Sequence, residues 1–140
     1  MKDILPDMLD TQNIRSHFDA LGLATRRDND NVLIVNIRPD DDIPFLIVIC
    51  VLVEHGNRLS FLASTPDHTP AGDLLSLANR HNRLHYIPTA VLRDGKLRFE
   101  YSFLIDEEVS SDYLRYDCIL HTIKCICASF ADLENDEEQS

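Results

Sequence analysis

The longest apolar stretch of the sequence lies between Ile43 and Val53, and it limits the fold more than any other feature. From Phe45 onward it reads FLIVICVLV, nine residues without a polar side chain. Such a run is too short to cross a bilayer as a helix. Its β-branched and aromatic residues favour a strand over a buried helix. Because polar residues do not alternate with apolar ones, the strand from 44 to 53 is predicted to be covered on both faces along at least part of its length.

Further strands are predicted on either side of this one. The clearest is a hairpin, in which Asp94-Gly95 forms the turn between strands at 86–92 and 96–105. The second hairpin strand alternates, with the apolar side chains on one face and Lys96, Arg98 and Glu100 on the other. Residues 32–37 and 57–64 also have strand composition, the latter after a turn at 54–57, and 23–27 is a weaker candidate.

Helical periodicity predicts three helices around the strands. The first begins at an Asp10 or Thr11 cap and runs to about residue 21, before Gly22. The second covers about 71–84, with Thr69 as its predicted N-cap and Pro70 at its first position. The last begins at a serine cap at 110 or 111, carries a continuous apolar stripe, and runs to about 133.

This order, α-β-β-β(-β)-α-β-β-α, predicts an α+β fold: a twisted antiparallel sheet of five to six strands with helices packed on it. The chain has 140 residues, the usual size of one domain. We therefore expect a single domain over 1–133 and an acidic, disordered tail over 134–140.

The charge and cysteine content narrow the classes of function. The formal net charge is −11, which repels phosphate backbones and anionic lipids, so neither nucleic acid nor membrane is an expected partner. The N-terminal residues lack the apolar core of a signal peptide. We therefore expect a cytoplasmic protein whose four cysteines are reduced.

Two segments carry a recognisable pattern: LLSLANRHNRL at 74–84 and TAVLRDGKLRFEYSFLIDEEVSSDYLRYDCILHTIKCICASFADL at 89–133. They resemble the YbjN family of bacterial proteins. The resemblance rests on an asparagine-bearing helix, a hairpin with an Asp-Gly turn, a polar connector and a long closing helix. It implies a fold similar to type III secretion chaperones, which are non-enzymatic, often dimeric and bind protein segments. It also implies the family's label of sensory transduction regulator. The cysteines of the last helix depart from the family pattern.

The last helix carries the only candidate chemical cluster. Cys118, His121 and Cys125 have the spacing i, i+3, i+7, which predicts one shared face turned away from the apolar stripe. These residues could ligate zinc or respond to oxidants, yet nothing has CxxC spacing. A thiol nucleophile is disfavoured because Asp112 and Asp117 stabilise the protonated form. We therefore expect no catalytic residues, no cofactor and no metal, with a metal- or redox-responsive regulator as the alternative.

Polar clusters elsewhere have simpler interpretations. Asp40, Asp41 and Asp42 lack the spacing of a calcium loop and predict a solvated turn. Arg80 and Arg83 could grip an acidic group or simply favour the end of their helix. The asparagines of the same helix, at 79 and 82, can satisfy backbone groups of the turn that follows.

The sequence as a whole predicts a non-enzymatic module that binds a protein segment or a second copy of itself. No nucleotide-binding, metalloprotease or hydrolase motif is present. Binding would take place on an exposed sheet face or edge strand. The predicted partner-binding residues are Arg58, Arg98 and Glu100 on the sheet, together with Arg80 and Arg83 on the second helix.

Overall fold

The computed structural model describes residues 3–4, 10–54, 57–105 and 108–139, with side chains described over 10–54, 57–105 and 108–133. It confirms the α+β fold: a six-stranded antiparallel sheet with three helices. The elements in chain order are β1 (Asp3–Ile4), α1 (Thr11–Ala20), β2 (Thr25–Asn29), β3 (Val32–Ile37), β4 (Ile47–Glu54), β5 (Arg58–Ser64), α2 (Leu74–Leu84), β6 (Thr89–Arg93), β7 (Lys96–Leu104), β8 (Val109–Ser110), a π-helical segment (Tyr113–Leu120) and α3 (His121–Gln139).

The main sheet has the strand order β2-β3-β4-β5-β7-β6, and every pairing in it is antiparallel. A separate two-stranded pairing joins β1 to β8, and the sequence patterns did not predict either of these two-residue strands. The predicted β4–β5 turn falls partly on residues 55 and 56, which lie outside the described residues.

One face of the sheet is buried under the helices. Its largest buried side chains include Phe61 and Phe99, and α3 contributes Phe130, whose ring meets that of Phe99 edge-on at 4.7 Å. All three helices contribute to this core: α1 through Ile14 and Phe18, α2 through Ala78 and His81, and α3 through its predicted apolar stripe.

Strand β4 alternates in burial although its sequence does not alternate in polarity. Ile47, Ile49, Val51 and Val53 are buried, whereas the residues between them are only half-buried. The prediction that both faces are covered is therefore wrong along this length. The central position of β4 explains the apolar residues on its outer side, since the neighbouring strands β3 and β5 shield them from the sides.

The helix termini follow local chemistry, with one correction. Asp10 caps α1 by accepting a 2.8 Å hydrogen bond from the amide of Asn13, and Gly22 follows that helix with φ of 77°. Helix α2 is capped by Asp73 rather than by Thr69, because the Asp73 carboxylate accepts hydrogen bonds from the Leu75 amide and the Ser76 hydroxyl. The helix consequently begins three residues later than predicted.

The closing helix has two parts. Ser110 accepts a hydrogen bond from the Tyr113 amide, which confirms the predicted cap region. Eight residues of π-helix then precede regular α-helix, a change of geometry that periodicity does not reveal. The backbone of α3 continues to Gln139, six residues past the expected end. The division into a domain and a disordered tail stays a prediction, since the side chains of 134–140 lie outside the described residues.

Asn82 connects α2 to the edge of the sheet. Its side-chain amide donates to the Ala90 carbonyl at 3.0 Å and accepts from the Ala90 amide at 2.7 Å. Strand β6 is the last strand of the sheet, so no further strand among the described residues pairs with its outer side. At Ala90 the Asn82 side chain makes the hydrogen bonds that such a strand would make. Asn82 therefore satisfies backbone groups as predicted, but these groups belong to β6 and not to the turn after the helix.

Candidate functional site

The outer face of the six-stranded sheet, called here the open face, has none of the core helices packed on it. Strand alternation places seven half-buried apolar side chains there, together with the exposed Leu104 at the end of β7. None of the seven belongs to the hydrophobic core or to the partly buried side chains that pack against it. Six of them form a continuous band across β3, β4 and β5, and Val91 on β6 is separated from it by Arg98 and Glu100 of β7; the seven are Val32, Ile34, Val48, Cys50, Leu52, Leu62 and Val91.

Charged side chains flank this apolar band. The strand register places five basic and three acidic residues on the same face, although the whole chain has a net charge of −11. The open face is therefore locally basic on an acidic protein. The charged residues are Arg26, Arg58, Arg93, Lys96 and Arg98, with Asp28, Glu54 and Glu100.

Arg98 and Glu100 lie close together on this face. The Arg98 Nη2 lies 4.0 Å from the Glu100 Oε1, and the Arg93 Nε lies 3.5 Å from the same oxygen. The Arg98 Nε is shielded from solvent and has no hydrogen-bond partner among the described residues. Ion pairs this exposed stabilise the fold little, so these groups can exchange their partners at low cost.

Arg98 also reaches the centre of the sheet. Its charge lowers the pKa of the Cys50 thiol on β4, two strands away, although burial and Asp28 outweigh it and the pKa is raised overall. A guanidinium over an aliphatic surface is typical of protein interfaces. Sequence analysis identified this arginine, but only the register shows that it lies beside the apolar band.

The other predicted partner-binding residues lie in different places. Arg58 is on the open face at the far end of β5, opposite Leu104, whereas Glu100 is opposite Leu62. Arg80 and Arg83 are exposed on α2, which packs on the buried side of the sheet through Ala78 and His81. The structure therefore brings Arg58, Arg98 and Glu100 onto one face and does not bring the α2 arginines to it.

The candidate metal or redox cluster is only partly assembled. The Cys125 Sγ lies 3.6 Å from the His121 Nε2, but Cys118 packs against the core, so the three side chains do not form the single outward cluster that helical spacing predicted. Across residues 10–54, 57–105 and 108–133, no three His, Cys, Asp or Glu side chains converge as metal ligands would. The hypothesis of a metal centre thus gains no support from the described residues.

The thiols of the last helix are held in the protonated form. Burial raises the pKa of Cys118, Cys125 and Cys127. At Cys118 a hydrogen bond with Tyr113 opposes this effect and the charge of Asp117 adds to it. A nucleophilic or redox-sensing cysteine needs the opposite shift.

A cleft of about 700 Å³ lies beside β7, and sequence analysis missed it. The strand supplies Tyr101 and Phe103 and the π-helical segment supplies Tyr113, Asp117 and Cys118, with His121 following. These residues are distant in sequence, and the aromatic residues of β7 are indistinguishable from ordinary core residues by alternation alone. The exposed tyrosines of the last helix are the one signal that sequence offers for this site.

A comparison with protein families identifies the family of this chain. A family model described as "Putative bacterial sensory transduction regulator", YbjN, matches residues 10–131. The chain belongs to the YbjN family. The match includes β2 to β5, which lie outside the two segments that carry the resemblance, and it extends into α3 as far as residue 131. No curated protein matches the chain.

Membership of the YbjN family fits a regulatory role better than an enzymatic one, since the family is described as a regulator. Within the described ranges, no helix combines the length and the hydropathy needed to span a bilayer.

Proposed function

We propose that this YbjN-family protein is a non-enzymatic cytoplasmic regulator that binds a protein partner through the open face of its sheet. The observation that carries the proposal is the apolar band, on which no described helix packs, with basic residues around it. Antiparallel sheets with one solvated face ordinarily place polar residues on that face. Here β3, β4 and β5 place aliphatic side chains there instead.

The charge of the open face indicates the chemistry of the partner. A partner with apolar side chains flanked by Asp or Glu would bury the band and pair with Arg26, Arg58 and Arg98. A second copy presenting the same face would bring like charges together, which costs affinity. We therefore favour a different, acidic protein over a face-to-face homodimer.

The sheet edges favour capture on the face over strand addition at the outermost strands. The β6 edge is occupied by Asn82 at Ala90. At the β2 edge, Arg15 donates a 3.3 Å hydrogen bond to the Thr25 carbonyl. Side chains that occupy edge groups in this way discourage pairing with another chain. A chaperone-like role, which the family resemblance implies, would use the same face.

The proposal can be tested by site-specific photocrosslinking in native cells. A p-benzoylphenylalanine replaces Leu52 on the open face, and the control carries it in place of Lys124, which is exposed on α3. We expect one discrete crosslinked partner from position 52 and none from position 124. The crosslink should disappear with Leu62→Asp, which adds a negative charge to the band without changing a buried residue.

The purified partner must then show the expected chemistry. Its affinity should fall with salt and with Arg98→Glu, because basic groups contribute to recognition. The proposal is wrong if position 52 crosslinks only to a second copy of the chain, if Leu62→Asp leaves the crosslink unchanged, or if the affinity does not depend on salt.

A further inference from the structure

The cleft beside β7 exists because this strand is longer than its neighbour. Pairing between β6 and β7 ends at Thr89 opposite Glu100, whereas β7 continues to Leu104. On the other side β5 pairs with β7 along this whole extension. Among the described residues, no strand pairs with 101–104 on the β6 side, and Tyr101, Phe103 and Leu104 of this extension line the cleft.

The walls of the cleft are aromatic and acidic. Tyr101, Phe103 and Tyr113 supply three rings, and Asp117 and Glu108 supply two carboxylates. No lysine or arginine is among the described residues that line it. Asp117 is exposed on the π-helical segment, one turn from Tyr113. Aromatic rings and carboxylates together favour a cation that has an apolar stem, as in an arginine or lysine side chain.

Part of the exposed apolar surface of the protein lies at the same cleft. Of the six large hydrophobic side chains that are well exposed among the described residues, Leu104 (51%) and Tyr113 (48%) line the cleft. Tyr116 (48%) and Tyr86 (98%) are next in the chain to the lining residues Asp117 and Ile87. Exposed apolar side chains at a cleft mark a binding site for a molecule that has apolar groups of its own.

We propose that the cleft binds an extended peptide segment of a partner protein, which adds as a short strand to β7 at 101–104, on the side where no described strand pairs with it, and places a lysine or arginine near Asp117. Backbone hydrogen bonds to β7 would give affinity, and alternate side chains would enter the aromatic wall. The carboxylates select basic segments over acidic ones. This site shares only Leu104 with the open face and does not depend on the function proposed for that face.

The test is a peptide titration of the full chain followed by ¹⁵N–¹H NMR. The probe is the capped peptide Leu-Arg-Val-Lys-Leu, and its matched control replaces both basic residues with glutamate. We expect the basic peptide, at up to about 1 mM, to shift the amides of Phe103, Asp117 and Thr122, and the acidic peptide to leave them unchanged. Asp117→Asn should weaken binding about threefold, and Asp67→Asn, in the β5–α2 loop, should not.

Two further probes test the strand-like mode. A peptide with N-methylated backbone amides should bind about tenfold more weakly, because it loses the hydrogen bonds to β7. Free arginine amide should bind more weakly than the peptide. The proposal is overturned if the basic and acidic peptides bind equally, if N-methylation has no effect, if arginine amide binds as tightly as the peptide, if both Asp variants behave alike, or if no amide beside the cleft shifts. Since Leu62→Asp lies on the open face, it should leave this titration unchanged.

Discussion

Replacing Asn82 with alanine should destabilise the protein more than any other single change of an exposed polar residue on α2. The Asn82 side chain makes two hydrogen bonds, at 2.7 and 3.0 Å, to the amide and the carbonyl of Ala90. Ala90 is 5% exposed, so water replaces these bonds poorly. Each hydrogen bond contributes about 0.5–1.5 kcal/mol, and an unsatisfied buried backbone group costs about 1–3 kcal/mol. We expect the free energy of unfolding to fall by about 2–3 kcal/mol.

Asn79→Ala is the matched control for this change. Asn79 is exposed on the same helix, and it gains the same helix propensity, up to about 0.7 kcal/mol, when replaced by alanine. The difference between the two variants therefore isolates the contacts with β6. Thermal unfolding should place Asn82→Ala about 6–10 °C below Asn79→Ala.

The same variant should also uncover the edge of the sheet. Without Asn82, the outward backbone groups of Ala90 become available to another chain, so self-association should rise with concentration in sedimentation velocity. Equal melting temperatures for the two variants would refute the argument that Asn82 holds β6. A loss of stability without self-association would support the stabilising role of the Asn82 contact, but it would show that Asn82 does not block the sheet edge.

Three further predictions follow from single contacts. Burial lowers the pKa of His17, assisted by Arg115, and burial is also the largest cause of the lowered pKa of His81. The unfolded chain therefore binds more protons than the folded chain below about pH 6.5. The free energy of unfolding, measured by urea denaturation, should be constant above that pH and fall as the pH drops through it. A stability that rises below pH 6 would contradict this sign. Gly95→Ala should lower the free energy of unfolding by about 1–2 kcal/mol, because Gly95 has a φ of 75°. No atom lies near an added Cβ, so the strain is purely conformational. An unchanged melting curve would exclude this strain. The four described cysteines should react slowly with a disulfide reagent at pH 7 and faster as the pH rises toward 9 and above, because each has a raised pKa. They are Cys50, Cys118, Cys125 and Cys127. Rapid modification at neutral pH would support the redox-responsive alternative instead.

Patterns carried by neighbouring residues were predictable. The Asp94-Gly95 turn, the alternation of β7 and the apolar stripe of α3 depend on local conformational preference and on burial of one face, so they determine the element order. The cap of α2 shows the limit of such reasoning. Thr69-Pro70 and Asp73 are both acceptable starts, and the side-chain hydrogen bonds of Asp73 decide between them.

The candidate sites depended on contacts between distant parts of the chain. Sequence analysis placed Arg98 and Glu100 on one face of β7, but the aliphatic neighbours that give this face its character come from β3, β4 and β5. The cleft depends on two further features of the tertiary structure: a strand longer than its neighbour and a π-helical segment opposite it. Neither feature has a periodicity that a sequence displays.

The apolar run at 44–53 shows both what the sequence determines and what only the tertiary structure decides. By itself, the sequence determined that most of the run is a strand, because β-branched residues and its length exclude the alternatives, although β4 begins only at Ile47 and residues 44–46 lie before it. Only the tertiary structure decided what covers it. All three helices pack on the same side of the sheet, so one half of its side chains is core and the other half forms the centre of an open, apolar face.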